Sequence, residues 1–306
     1  MLARRPNDTV TELLTLAQSD SHEDQIKGLR TLASLTKVSP QNRNLVAETN
    51  GNIQTLFALS RSSSSTIEVL SLSILFNLSL NSNLKHTLAD MELIGLLNNI
   101  ILAPISLDSG ILAASLICSL AMLDKNKAKF GVAGTVQALV EALKRPRRAT
   151  SHHLLSSLSE LVQFHGNCSL AVRAGAVPVL FGVVERTEGE DLAVTSLAIL
   201  GVLAKFKEGI DAIMNTKGVV SFMVDVLKRR CMLSKEGCAE ILIRLFEESE
   251  KCLRDAVGVP EFSSLVADLS VRGSAKAREK SGIIMKKMMD ANLDPFLDGN
   301  AMIYDW

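Results

Sequence analysis

Between residues 167 and 206 the apolar positions fall into three runs separated by two breaks. Ala171, Val172 and Ala174 mark a short helix that ends near Gly175. Val177, Leu180, Phe181 and Val184 recur at helical spacing. Pro178 falls in the first turn of that second helix, where its missing N–H leaves no bond unmade. Residues 187–191 are polar and charged and read as a turn. Leu192, Val194, Leu197, Leu200, Leu203 and Ala204 then mark a longer helix, apolar over a broad face. The pattern predicts one short and two longer helices.

This unit recurs along the chain. Leu200 and Leu203 have counterparts in Leu32/Leu35, Leu75/Leu78, Ile117/Leu120, Leu158/Leu161, Leu242/Leu245 and Met285/Met288. The first members stand at 32, 75, 117, 158, 200, 242 and 285, so each step is 42 residues to within one. Gly51, Gly134, Gly175 and Gly218 form a second ruler, each just ahead of the second helix of a repeat. A period of this size belongs to solenoids of two- or three-helix repeats. Such a fold buries apolar surface between neighbours and can grow past the size of one ordinary core.

In chain order, residues 1–8 read as a flexible lead, with Asp8 or Thr9 as the cap of a first helix. Residues 9–290 hold the repeats, and residues 291–306 are a tail that breaks the pattern and carries the only Tyr and Trp, Tyr304 and Trp306. The serine run at 62–65 is expected to be a turn, because the period passes through it undisturbed. Residues 93–107 and 109–123 carry no charge and are separated by Asp108, with Asn98, Asn99 and Pro104 interrupting the first. Neither reaches the 18–20 or so residues of a membrane span, so both are expected to be buried repeat helices and no membrane association is expected.

The segments NCSLAVRAGAVPVLFGVV, NKAKFGVAGTVQALVEAL and EGIDAIMNTKGVVSFMVDVL resemble the armadillo repeat pattern. KVSPQNRNLVAETNGNIQTL, LDKNKAKFGVAG and RGSAKAREKSGIIMKKM resemble, more narrowly, the armadillo regions of plant U-box ubiquitin ligases. The resemblance implies an all-α fold: a right-handed superhelical armadillo solenoid of about seven three-helix repeats. Ligases of that family carry a U-box ahead of the repeats, and with the first repeat beginning near residue 9 none is expected within this chain.

The resemblance also implies that the third helix of each repeat lines a concave groove. Armadillo proteins that grip nuclear localisation peptides place a Trp and an Asn four residues apart on these helices. Here the corresponding pairs are Arg30/Ser34, Ser73/Asn77, Ser115/Ser119, Ser156/Glu160, Ala198/Val202, Glu240/Arg244 and Ile283/Lys287, with one Asn and no Trp. That mode of binding is therefore not expected. The expected groove residues are Ser73, Asn77, Ser115, Ser119, Ser156, Glu160, Glu240 and Arg244. Small hydroxyls and amides of this kind suit the backbone of an extended or helical protein segment.

Charge and candidate chemistry add little beyond this. Basic and acidic residues balance at 33 each, so no global field draws nucleic acid or an anionic surface, and neither is an expected partner. A basic patch, Lys144, Arg145, Arg147 and Arg148, is expected in a turn, with Thr150 behind it in a basic-directed phosphorylation context near a helix N-terminus. The five Cys contain no CxxC spacing, and residues 1–8 lack the apolar core of a signal peptide. An intracellular protein, cytoplasmic or nuclear, with reduced thiols is expected. His153 and His165 are placed near opposite ends of one helix, too far apart to share a metal ion with Cys168. No metal, cofactor, phosphate-binding glycine loop or nucleophile–base motif is read from the chain.

The functional expectation is a non-enzymatic scaffold that binds a protein segment in its groove, in ubiquitin-linked signalling. The alternative is the substrate-recruiting part of a U-box ligase whose U-box lies outside this chain.

Overall fold

The computed structural model describes residues 6–48, 51–145, 148–186 and 189–291, with the side chains of 6–8 and 148 excepted. Among the described residues there are twenty helices and no strand. They form two compact units, divided between Ala174 and Gly175.

The first unit opens with a helix pair, α1 (Pro6–Ala17) and α2 (His22–Val38). Three triplets follow: α3 (Pro40–Glu48), α4 (Asn52–Leu59) and α5 (Ser65–Ser79); α6 (Lys85–Leu88), α7 (Met91–Leu102) and α8 (Leu107–Ala121); α9 (Asp124–Val132), α10 (Thr135–Leu143) and α11 (Arg148–Leu161). α12 (His165–Arg173) ends the unit. The third helices α2, α5, α8 and α11 pack in succession, each on the next.

The second unit holds α13 (Ala176–Arg186) and α14 (Glu190–Leu203), then α15 (Lys207–Met214), α16 (Val219–Leu227) and α17 (Met232–Glu248), then α18 (Glu250–Val257), α19 (Phe262–Arg272) and α20 (Ala275–Asp290). Its third helices α14, α17 and α20 again pack in succession. Phe181 meets Phe222 edge-on at 5.2 Å, and Phe246 meets Phe262 in the same way at 6.1 Å, tying second helices into the core.

The 42-residue ruler marks core positions. Leu32, Leu75, Leu78, Ile117, Leu120, Leu158, Leu161, Leu200, Leu203, Leu242 and Leu245 have no exposed surface. Only Leu35 in the first repeat and Met285 in the last are half-buried. The glycine ruler has a backbone cause. Gly51, Gly134, Gly175 and Gly218 take φ of 82°, 78°, 83° and 72°, left-handed values that a Cβ disfavours, immediately before α4, α10, α13 and α16. The chain turns sharply there from the first helix of a repeat into the second.

Several boundaries differ from expectation. α1 starts at Pro6, ahead of both expected caps, with proline at the first helical position. Asn98 and Asn99 do not interrupt their helix: α7 runs through them, and the buried Asn98 amide donates to Ala133 O at 2.9 Å. Asp108 does not separate two helices but lies in the first turn of α8. The break falls at residues 103–106, and the Ser106 side chain caps α8 by accepting from Ser109 N. Of the serine run at 62–65, Ser62 to Ser64 lie in the turn between α4 and α5, and Ser65 opens α5. His153 and His165 lie on separate helices, α11 and α12. No single helix among the described residues is long and apolar enough to cross a membrane. Tyr304 and Trp306 lie outside the described residues.

Candidate functional site

The groove positions expected from the sequence all fall on third helices, but they do different work in the two units. In the first unit much of the small polar stripe is consumed between helices. Asn77 is 7% exposed, and its amide donates to Ala33 O at 3.2 Å and Thr36 Oγ1 at 3.1 Å on α2. Ser119, also 7% exposed, accepts from Ser79 Oγ at 2.8 Å on α5. These two side chains join neighbouring repeats and do not form an open lining. Ser115 donates to Ile111 O at 2.8 Å and lies 3.0 Å from His153 Nδ1 on α11. Burial, with a smaller contribution from the charge of His152, holds His153 below the usual histidine value. Ser156 donates back to His152 O at 2.9 Å. Ser73 is half-buried on α5.

A line of buried cations and amides runs beside this stripe, and the search for groove residues missed it. Lys85 Nζ donates to Ser119 O at 2.5 Å, and burial lowers its pKa from the ordinary lysine value. Forty-two residues on, Lys127 Nζ lies 2.7 Å from Asp124 and 2.9 Å from Glu160, with its side chain 7% exposed. Burial works against the charge of Lys127, but the two carboxylates outweigh it and raise its pKa. Glu160 is therefore held by an internal cation. The Asn126 amide donates to Lys85 O and Leu120 O, both at 3.0 Å. The Asn167 amide donates to Lys127 O at 3.0 Å and Leu161 O at 2.9 Å. The signal was available in the sequence: Asn42, Asn126 and Asn167 keep the repeat period on the first helices.

In the second unit the inner faces of α14, α17 and α20 form an open groove of about 380 Å3. Val194, Leu197, Ala198, Gly201 and Val202 of α14 supply an apolar wall, and Leu233, Glu236, Gly237 and Glu240 of α17 continue it. Lys205, Lys276 and Lys280 stand along the rim. The groove is narrow at its floor because Gly237 lets α17 approach α14: a Cβ there would lie 3.1 Å from Leu197 Cβ. Glu240 pairs with Lys280 at 3.1 Å, Arg244 with Glu247 at 3.0 Å, and Lys287 with Glu247 at 3.8 Å. Glu240 borders this groove, and the ion-pair ladder running on through Arg244 lies along the same third helices. Lys205 and Lys276 are exposed and have no ion pair among the described residues. Ala198 and Val202, one of the third-helix pairs identified in the sequence but not counted among the expected groove residues, are part of this wall.

The basic patch is only partly visible. Lys144 pairs with Glu141 at 2.7 Å, and Arg145 donates to the Leu102 carbonyl that ends α7. Arg147 and the Arg148 side chain lie outside the described residues. Thr150 does sit in the first turn of α11, but it is 5% exposed, with its methyl over Gly110. A kinase would have to open that turn to reach it, which removes the accessible phosphosite expected from the sequence. All five cysteines are free thiols. Burial pushes the Cys168 thiol up to about 11 and raises Cys238 further, so neither is poised as a nucleophile.

A family model described as the plant U-box protein ARM repeat region matches residues 9–303. U-box domain-containing protein 8 of Arabidopsis thaliana is 30% identical over 217 residues, which cover 70% of this chain and 55% of that protein. U-box domain-containing protein 1 of Medicago truncatula is 31% identical over 122 residues, covering 38% of this chain and 17% of that protein. The chain thus spans about half the length of the first of these relatives and less of the second. Among solved structures, an engineered protein superposes with a TM-score of 0.77 at 17% identity, over 93% of this chain and 72% of its own. A designed armadillo repeat protein gives 0.54 at 12% identity, over 93% of this chain and all of its own. At these identities the two structures speak for the fold alone: stacked three-helix armadillo repeats.

Proposed function

The chain belongs to the plant U-box protein ARM repeat family, and from that premise we propose that it is a non-enzymatic protein-interaction module that takes up a partner segment in the groove of α14, α17 and α20. The observation that carries the reading is the groove itself: an apolar wall at Val194, Ala198 and Val202 under a rim of cations, Lys205 and Lys276, that no acid among the described residues pairs. Such a surface fits an extended or helical segment with apolar side chains on one face and acidic residues beside them. The serine stripe of the first unit is a weaker candidate, because Asn77 and Ser119 are already hydrogen-bonded between helices.

The relatives are U-box domain-containing proteins matched over their repeat part, which supports a place in ubiquitin-linked signalling. On that reading the chain selects what is to be modified, whether as a separate scaffold or as the recruiting part of a ligase. We place it inside the cell, in the cytoplasm or nucleus, with neither nucleic acid nor membrane as its partner.

The test is selection of a random peptide library on the whole chain. Peptides with acidic and apolar residues are expected to be enriched, and to lose binding to Ala198→Arg, which fills the groove, while keeping it to Lys144→Glu. Selected peptides that bind Ala198→Arg as well as the parent would move the site elsewhere.

A further inference from the structure

We propose that the groove of the second unit is a docking site for residues 292–306 of the same chain. The segment follows α20, whose Lys276 and Lys280 stand on the rim of the groove, and its chemistry is the complement of the groove's.

Its sequence, NLDPFLDGNAMIYDW, alternates apolar clusters with acids. Phe296, Leu297, Ile303, Tyr304 and Trp306 supply apolar and aromatic surface. Asp294, Asp298 and Asp305 give a formal charge of −3, and no Lys, Arg or His offsets it. The groove offers Val194, Ala198 and Val202 as wall, with Lys205 and Lys276 exposed on its rim and not engaged by any acid among the described residues. Of the nearby acids, Glu240 is balanced by a lysine and Glu236 is held by a neutral hydroxyl. Glu236 accepts from the Ser274 hydroxyl, and Glu240 pairs with Lys280. Glu236 keeps its charge, so the lining carries three lysines against two glutamates and is net positive, while the charged side chains of the segment are all acidic.

Reach is sufficient. α20 ends at Asp290, and at 1.5 Å per residue Lys280 and Lys276 lie about 15 and 21 Å back along it. Fifteen extended residues span up to about 50 Å. The tether also raises the local concentration of the segment into the millimolar range, so a contact of modest intrinsic strength suffices to fill the groove. The docked segment would compete with any outside segment for the same wall. The proposal itself needs no outside partner and stands or falls without one.

Trp306 is the only tryptophan, so the intact chain carries its own probe. Its emission is expected to be blue-shifted from that of free indole and protected from acrylamide. Reversing Lys205→Glu and Lys276→Glu together is expected to shift the emission back and to lower the docked-to-free ratio about fivefold or more, as reversal of two exposed charge pairs implies. Circular dichroism checks that the repeats remain folded. Asp298→Lys with Asp305→Lys is expected to release Trp306 in the same way without touching a repeat, and the two reversals combined are expected to restore docking. A wild-type Trp306 as exposed as free indole would overturn the proposal, as would a combined variant that fails to restore docking. Loss of the blue shift on about hundredfold dilution would show that the segment docks on a second copy, which also overturns it.

Discussion

The amide of Asn167 on α12 reaches back one repeat and donates 3.0 Å to the carbonyl of Lys127 on α9, while also donating 2.9 Å to Leu161 O at the end of α11. One side chain thus ties a first helix to the helix before it and to the same helix of the preceding repeat. Asn126 makes the same pair of bonds to Leu120 O and Lys85 O. Both residues are completely or almost completely buried. Asn167→Ala should therefore cost about 1–3 kcal/mol, since it strips buried carbonyls of partners and leaves a void. Urea unfolding of the variant beside the parent measures it, and a loss under about half a kcal/mol would show that the ladder is ornamental to stability.

Gly131 makes that ladder possible. A Cβ at this position would overlap Asn167 Oδ1. Gly131 is the last-but-one residue of α9, so alanine there would favour the helix by at most the roughly 1 kcal/mol of a helix interior, and the sign of Gly131→Ala decides between propensity and packing. The clash is expected to win, with a net loss of about 1–3 kcal/mol. The double variant with Asn167→Ala should lose less than the sum of the two single changes, because the clash disappears with the amide. A stabilised Gly131→Ala would refute the close approach.

The repeats were legible because period and burial are the same fact seen twice. A residue that faces its neighbour in one repeat does so in the next, and Leu75, Leu158, Leu200 and Leu242 are all fully buried. The four glycines were legible because only a left-handed turn recurs with them. The site was less so. Asn77 and Ser119 stand at the register of an inner face, but register does not say whether a short polar side chain turns outward or bonds sideways to the next helix, and here both turn sideways. Ala198 and Val202 hold the same third-helix register as the polar pairs, but register does not say that the second unit lines its groove with an apolar wall. Thr150 carried the right local motif, but its burial depends on Gly110, forty residues away in sequence.

Leu200 lies on α14 beneath the groove wall and has no exposed surface. Leu200→Ala should cost about 2–5 kcal/mol, the range for a large-to-small change at a buried leucine. The thermal midpoint should fall accordingly, and an unchanged midpoint would contradict the packing of α14.

The cysteines should separate by environment. Cys168 and Cys238 are buried, with thiols raised by desolvation and donating to Val162 O and Met223 O, both at 3.0 Å. Cys231 and Cys252 are only half-buried. Iodoacetamide at neutral pH should label Cys231 and Cys252 well before Cys168 and Cys238, as peptide mapping over time would show. Early labelling of Cys238 would mean that α17 opens far more readily than its packing implies.

Glu68 on α5 gives the fold a pH dependence of known sign. It is 3% exposed, and its Oε2 has no hydrogen-bond partner among the described residues. Burial raises its pKa above the ordinary 4.5, and a hydrogen bond with Ser109 offsets only part of this. Between the ordinary value and its raised value in the fold, the folded chain holds a proton at Glu68 that the unfolded chain has released. Stability from this group is fully present below about the ordinary value and is lost as pH rises through the folded one. Glu68→Gln keeps the shape and removes the titration. The variant should gain on the parent as pH is raised from the ordinary glutamate value toward neutrality, and the gain should level off once the carboxylate is fully charged. Paired urea melts across that interval measure the difference. A gap that stays constant with pH would mean that Glu68 is as well solvated folded as unfolded, and that α5 and α8 do not close over it.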